Sequence, residues 1–192
     1  LFAGEAFTQC PMTNDHQSLL NLLHNVRTDI AARGLIEDGT AVGMGLANAV
    51  SRLKDSKAKS KVVILLTDGS NNRGDISPLT AAEIAKSLGI RVYTVGVGTN
   101  KVARYPMPVG GTVQYINVPV EIDTKTLGEI ARKTDGKFYR ATNTDELKQI
   151  YQDIDTLEKT KFDVKKFSKR NDAYQPFAAL AILTLLMEIL LR

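Results

Sequence analysis

Thr40 and Asp68 are the residues whose types and settings point most directly to chemistry. Asp68 and its neighbour Gly69 follow the run Val62 to Leu66, five large apolar residues, and Thr67. An unbroken apolar run rich in β-branched residues, bounded by turn signals, fits a strand buried on both faces, as in parallel sheets covered by helices. The carboxyl end of such a strand is the edge at which open α/β sheets bind ligands. Thr40 stands where a helix is expected to begin, so in a doubly wound sheet its hydroxyl and the Asp68 carboxylate share one crevice. Together with waters they are hard oxygen donors suited to Mg²⁺, Mn²⁺ or Ca²⁺. Two such ligands hold a divalent ion weakly, and a complete site needs further oxygens. Asp-Gly after a strand is also common turn punctuation, so the residue types alone leave a structural role for Asp68 open.

Competing chemistries find little support. An apolar strand ending in Asp is also a Walker B pattern, but no GxxxxGK[ST] occurs in the chain, which argues against nucleotide hydrolysis. Gly43-x-Gly45 and Gly96-x-Gly98 lack the third glycine of a dinucleotide fingerprint. Ser70 lies in no nucleophile elbow. His16 and His24 lack the i, i+4 spacing of a helical zinc site and read as ordinary surface or boundary residues. Cys10 is the only cysteine, which excludes an intramolecular disulfide, and it is expected to be a buried, inert thiol. No catalytic pair stands out, so an enzyme is not expected. A metal-dependent hydrolase using Asp68 would need a nucleophile, base or phosphate loop that nothing here supplies.

Stepping outward from Asp68, the pattern of elements fits this reading. Leu1 to Ala3 and Ala6 to Cys10 read as two short strands around a Gly4-Glu5 bend. Asn14 or Asp15 caps a helix through about Val26, whose Leu19, Leu20, Leu22, Leu23 and Val26 form a broad apolar face. After a polar connector a helix runs from near Thr40 to about Leu53. Gly43 and Gly45 each cost it about 1 kcal/mol against Ala, so close approach of another backbone is expected there. Ser77-Pro78 opens a helix ended by Gly89, and Ile90 to Val95 is an apolar strand. Lys101 to Ile122 contains Pro106, Pro108 and Pro119 and an alternating Val113 to Val118, which suggests a surface hairpin or lid. Asp123 caps a helix ended by Gly136, Lys137 to Arg140 is a short strand, and Thr142 or Asn143 caps a helix through Leu157. From residue 61 the order is strand, helix, strand, helix, strand, helix, which implies an α/β fold with a doubly wound, mostly parallel sheet.

The hydrophobic content of 43% and charged content of 24% are those of a globular chain, and a net charge of +4 does not by itself imply nucleic acid. The absence of Trp argues against stacking platforms for single strands. The tail changes character. A basic juxtamembrane segment, residues 159–173, is followed by a nearly all-apolar run, residues 174–192. As a helix, Phe177 to Leu191 spans about 22 Å, short of the roughly 30 Å hydrocarbon core. The run is read as a truncated transmembrane helix, and the lysines beside it suit anionic headgroups. A soluble core or interface helix is the alternative. The chain opens mid-strand and ends within an apolar run, so a fragment cut at both ends is expected.

The strings VVILLTDGSNNRG, DGTAVGMGLANAV and RVYTVGVGT resemble a von Willebrand factor type A domain. LFAGEAFTQCPMTND and PLTAAEIAKSLGIRVYTVGVGT are most similar to bacterial Bat aerotolerance membrane proteins of the BatA type. The resemblance spans the whole chain, with residues 1–158 as the partial domain. It implies a metal-ion-dependent adhesion site in which Thr40 and Asp68 are ligands, with Gly69, Ser70, Asn71 and Asn72 on its partner-binding rim. Such a site also uses an Asp-x-Ser-x-Ser, which is absent from these residues. In the family that motif lies on the first, central strand beside the TDG strand. The expected sheet therefore lacks that strand, and the isolated chain is expected to be unstable or poorly soluble. The resemblance further implies a membrane-anchored protein-interaction module with Mg²⁺ or a similar ion. Its expected partners are other Bat proteins and a MoxR-type AAA+ ATPase, in stress or oxygen tolerance. A metal-free scaffold is the alternative. The lysines before the apolar run favour a cytoplasmic domain by the positive-inside tendency. The resemblance favours the periplasmic side of the inner membrane, which is the expectation carried forward.

Overall fold

The computed structural model describes residues 1–26, 37–98, 102–109, 112–119, 122–166, 187–189 and 191. Helices α1 (His16–His24) and α2 (Val42–Leu53) precede strand β1 (Lys61–Thr67), helix α3 (Pro78–Ser87) and strand β2 (Ile90–Val97). Then come strands β3 (Val102–Val109) and β4 (Thr112–Pro119), helix α4 (Thr124–Lys133), strand β5 (Phe138–Ala141) and helix α5 (Thr144–Lys166). The chain divides into two compact units, Leu1–Gln152 and Asp153–Arg192. The second holds the C-terminal part of α5.

In the first unit β1, β2 and β5 form a parallel sheet in that order, with Val63 opposite Val92, Leu65 opposite Thr94 and Thr67 opposite Gly96. Helices α2, α3 and α4 lie side by side over one face. Val63, Leu65, Ile90 and Val92 of the sheet meet Val42, Leu46 and Val50 of α2 there, together with Leu127 and Ile130 of α4. The middle helix contributes Ala81, Ala82 and Ala85, all fully buried. Their small side chains let it wedge between its neighbours and the sheet. Ser77 accepts from the Thr80 N–H and Pro78 occupies the first turn, as its sequence suggests. Of the two helical layers of a doubly wound sheet, contacts among the described elements establish this one.

Buried hydroxyls tie α4 to the central strand. The Thr94 hydroxyl donates to Leu127 O at 2.9 Å, and Thr134 Oγ1 accepts the Val92 N–H at 3.1 Å. At Gly136 a Cβ would stand 1.9 Å from Val92 O, so only glycine allows this turn to lie against β2. Gly43 is explained in the same way: a Cβ there would meet Ile76 O at 1.9 Å, so the close backbone approach expected for it is found. At Gly45 the near neighbour is instead the Phe2 ring.

Several expectations are corrected. β1 is not buried on both faces. Val63, Leu65 and Thr67 are buried, whereas Leu66 on the opposite face is 39% exposed. The cause is position: β1 pairs only with β2 among the described strands. The two strands expected at the start reduce to a single antiparallel bridge between Phe2 and Ala6, because a bend at residues 3–5 prevents a ladder. Asp15 caps α1 as expected, accepting from the Ser18 N–H, but no residue of α1 is buried. Leu19, Leu22 and Leu23 of α1 instead border an open apolar cleft of about 420 Å³ shared with the first residues, α2 and the start of β1. Cys10 lines this cleft and is half-buried rather than buried. Among the described residues no helix is long and apolar enough to cross a membrane. The transmembrane reading of 174–192 falls almost entirely outside them.

Candidate metal centre

β1 carries the sequence to the sheet's carboxyl edge and ends at Thr67, whose buried hydroxyl shapes the turn that follows. It accepts the Gly69 N–H at 3.3 Å and donates to Gly69 O at 3.2 Å. This local closure turns the chain sharply enough to leave Asp68 exposed. Among the described residues the Asp68 carboxylate has no hydrogen bond or ion pair, so its oxygens remain open to a ligand.

The same turn is fastened to the segment carrying Thr40. Asn72 Oδ1 accepts the Thr40 N–H at 2.7 Å, and the Asn72 N–H donates to Thr40 O at 3.0 Å. Arg73 N–H reaches the same carbonyl at 3.4 Å. Asn71 Oδ1 accepts the Gly43 N–H at 3.2 Å, which caps the first turn of α2 from across the loop. That bond fills a need, since Ala41 at the N-cap position supplies no side-chain acceptor. Gly39, at φ +133°, crosses beneath Arg73, and a Cβ there would sit 2.4 Å from Arg73 Cγ.

The consequence for Thr40 is direct. A Cβ on Gly69 would stand 3.4 Å from Thr40 Oγ1, so the hydroxyl lies against the residue next to Asp68. Thr40, Asp68, Gly69, Asn71 and Asn72 are thus held on two interlocked loops, and Ser70 lies on the same turn. By sequence Asn71 and Asn72 are expected only on the rim. Their carboxamides also fasten the loops, and Gly39 and Arg73, which the sequence did not single out, are part of that fastening. The only signal for this was a pair of asparagines following a strand-ending Asp-Gly, a composition typical of side chains that bond nearby backbone.

A hydroxyl and an unpaired carboxylate on adjacent loops are hard oxygen donors of the kind a divalent cation takes. Two such donors are fewer than a coordination shell needs. Among the described residues no group of three or more His, Cys, Asp or Glu side chains gathers into a metal cluster. His16 and His24 lie on the exposed α1, where His24 Nδ1 sits 2.8 Å from Leu20 O.

A parallel sheet covered by helices on one face, with polar loops interlocked at its carboxyl edge, defines an open α/β domain. Residues 1–153 match the von Willebrand factor type A domain, and the chain belongs to that family, as a protein of the Bat type. It is 31% identical to the crystal structure of a conserved hypothetical protein, BatB, from Bacteroides thetaiotaomicron, with a TM-score of 0.65 and coverage of 82% of this chain and 77% of that one. An aerotolerance-related membrane protein from Bacteroides fragilis is 28% identical, with a TM-score of 0.61 and coverage of 81% and 76%. Proximal thread matrix protein 1 from the mussel byssus, with a zinc-occupied MIDAS motif, is 25% identical, with a TM-score of 0.59 and coverage of 82% and 33%. Among curated sequences, a protein from Borreliella burgdorferi is 27% identical over 187 residues, covering 97% of this chain and 53% of its own length. The chain spans about half the length of the first curated relatives it matches.

Proposed function

We propose that the chain is a membrane-anchored interaction module, rather than an enzyme, that binds protein partners through a divalent ion. Thr40 and Asp68 hold the ion in this reading, and Gly69, Ser70, Asn71 and Asn72 form the rim the partner touches. The observation that carries it is the seating of the Thr40 hydroxyl against Gly69, beside the open Asp68 carboxylate. The mussel protein with zinc in its MIDAS motif supports a metal site in a chain of similar fold. Mg²⁺ is the proposed ion, with Mn²⁺ or Ca²⁺ as substitutes, because both ligands are hard oxygens. An ion held by Thr40 and Asp68 would supply a positive centre that a partner's carboxylate could bind. The protein's residues orient that approach: the asparagines fix the loops, and glycine at 69 keeps the rim low.

The likeness to an aerotolerance-related membrane protein supports membrane association. The proposal extends, on the family resemblance of the sequence alone, to a place beside other Bat proteins and a MoxR-type AAA+ ATPase in stress or oxygen tolerance, with the domain on the periplasmic side of the bacterial inner membrane. Calorimetric titration with Mg²⁺ and Mn²⁺ tests the ion. The chain is expected to bind weakly, and Asp68→Ala or Thr40→Ala to weaken binding further, by at least about tenfold, the effect of losing one charge-assisted contact. Binding unchanged in Asp68→Ala would overturn the reading. A metal-free scaffold is the second reading, favoured by the incomplete donor set among the described residues, and it predicts no binding at all.

A further inference from the structure

β3 and β4 form an antiparallel hairpin inserted between β2 and α4, paired with each other and with no third described strand. An isolated two-stranded hairpin is marginal in water, and three or more strands are needed for independent stability. Its register says which edge can accept another strand. Only two residues separate the closing pair, Val109 and Thr112, and in a two-residue hairpin that closing pair is hydrogen-bonded. Bonded and non-bonded pairs then alternate. Val102–Pro119, Arg104–Asn117, Pro106–Tyr115 and Pro108–Val113 are therefore the non-bonded pairs, whose N–H and C=O groups face outward. All three prolines of the hairpin fall in this class, as they must, because proline has no N–H to give the ladder.

The two edges are consequently unlike. Along β3, Pro106 and Pro108 remove outward donors, and only Val102 and Arg104 retain theirs. Along β4, Pro119 at the end lacks its donor, and Val113, Tyr115 and Asn117 each present an N–H and a C=O without interruption. β4 also carries no charged residue from Thr112 to Pro119, and so lacks the Lys and charge devices that keep edge strands apart. This edge is self-complementary about Tyr115. In antiparallel pairing with its own copy, Tyr115 exchanges both bonds with its symmetry mate, and Val113 pairs with Asn117 on either side. No like charges oppose each other in that arrangement, and it turns two marginal hairpins into one four-stranded sheet.

We propose that β4 is a dimerisation edge, through which two copies of this chain pair antiparallel about Tyr115 while the prolines of β3 seal the outer rim. The inference is independent of the ion at Thr40 and Asp68.

The test is the oligomeric state of the full chain in detergent, by light scattering across a concentration series. The parent chain is expected to dimerise. Tyr115→Pro removes the central reciprocal bonds while leaving the hairpin's own ladder intact, and is expected to raise the dissociation constant by at least about tenfold. Arg104→Pro, the equivalent change on the sealed edge, is expected to leave the dimer unchanged. Because a proline variant can fail to fold, a cysteine pair supplies a second measurement in a Cys10→Ser background. Directly opposed, hydrogen-bonded residues are about 5.5 Å apart at Cα, inside the Cα range of disulfides, and a small backbone adjustment brings their Cβ atoms within bonding reach. Tyr115→Cys is expected to cross-link between copies under mild oxidation, and Arg104→Cys is not. A monomeric parent, a dimer that survives Tyr115→Pro, equal loss in both proline variants, or cross-linking at 104 rather than 115 would overturn the proposal.

Discussion

Strands β1 and β2 lie side by side, in register, and differ in a way their sequences invert. KVVILLT is the more continuously apolar, whereas IRVYTVGV includes Arg91, Tyr93 and Thr94. Yet β2 is buried along nearly its whole length on both faces, and β1 on one face only. Leu66 and Val95 make the point in one pair. They are register partners on the same face of the sheet, and Leu66 is 39% exposed while Val95 is fully buried. A strand's burial is set by what flanks it. β2 has strands on both sides, and even where β5 has not begun its N–H groups find Thr134 Oγ1 and Lys137 O. Apolar residues supply the tendency to be buried, and neighbours decide whether it is satisfied.

The comparison can be tested by substitution and by exchange. The largest effect belongs to Tyr93, which is 1% exposed and pairs with Tyr139 at a centroid distance of 6.5 Å. Tyr93→Ala is expected to cost about 4 kcal/mol in denaturant melts, and a loss below about 1 kcal/mol would mean that β2 is not the sheet's centre. Next is Gly136→Ala, which drives a Cβ into the β2 backbone at Val92 O. It should cost about 3 kcal/mol, measured in the same way. The paired contrast follows: Val95→Ala is expected to cost about 2 kcal/mol and Leu66→Ala under about 1 kcal/mol. Equal losses at the two sites would show that another element covers β1.

Smaller still is the cap of α4, at the far side of β2 from β1. The Asp123 carboxylate accepts from the Thr126 N–H at 2.9 Å. Hydrogen bonding from the Thr126 side chain, then its backbone, holds Asp123 below the usual carboxylate range. A lowered folded pKa contributes stability above the unfolded value and loses it as pH falls through the folded one. Asp123→Ala should therefore cost about 1 kcal/mol near neutral pH. The gap between variant and parent should close in acid, which melts at pH 7 and pH 3 would reveal. The least invasive probe changes no residue. In native-state hydrogen exchange, β2 amides should open only with the whole unit, whereas alternate β1 amides, those directed away from β2, should exchange early. Uniform protection along β1 would place a bonded neighbour on the edge away from β2.

Much of the local structure was legible because it rests on local chemistry. Asp15, Ser77, Asp123 and Asn143 each accept from a backbone N–H in the first turn of the following helix, as residues of their type do at that position. The alternation of strands and helices after residue 61 follows from periodicity. The reading of Gly43 rested on the cost of glycine in a helix, and Ile76 O supplies the reason. The exposed leucines of α1 were not legible, because an apolar stripe records a preference for burial and not the presence of a cover. Nor was the role of Asn71 and Asn72 as fasteners, since their acceptors bond Gly43 and Thr40, 28 and 32 residues away.

By itself the sequence determined where most helices start, which residues prefer a strand, and which two oxygens suit a hard cation. These are properties of a residue and its near neighbours, fixed by covalent geometry and short-range hydrogen bonding. The end of α5 it misplaced, since the helix runs on to Lys166 rather than stopping at Leu157. Only the tertiary structure decided that β2 rather than β1 is the buried strand, that Gly69 seats the Thr40 hydroxyl, and that the two asparagines lock the loops together. Each of those depends on groups distant in the chain meeting in space, and no short window of sequence contains that meeting.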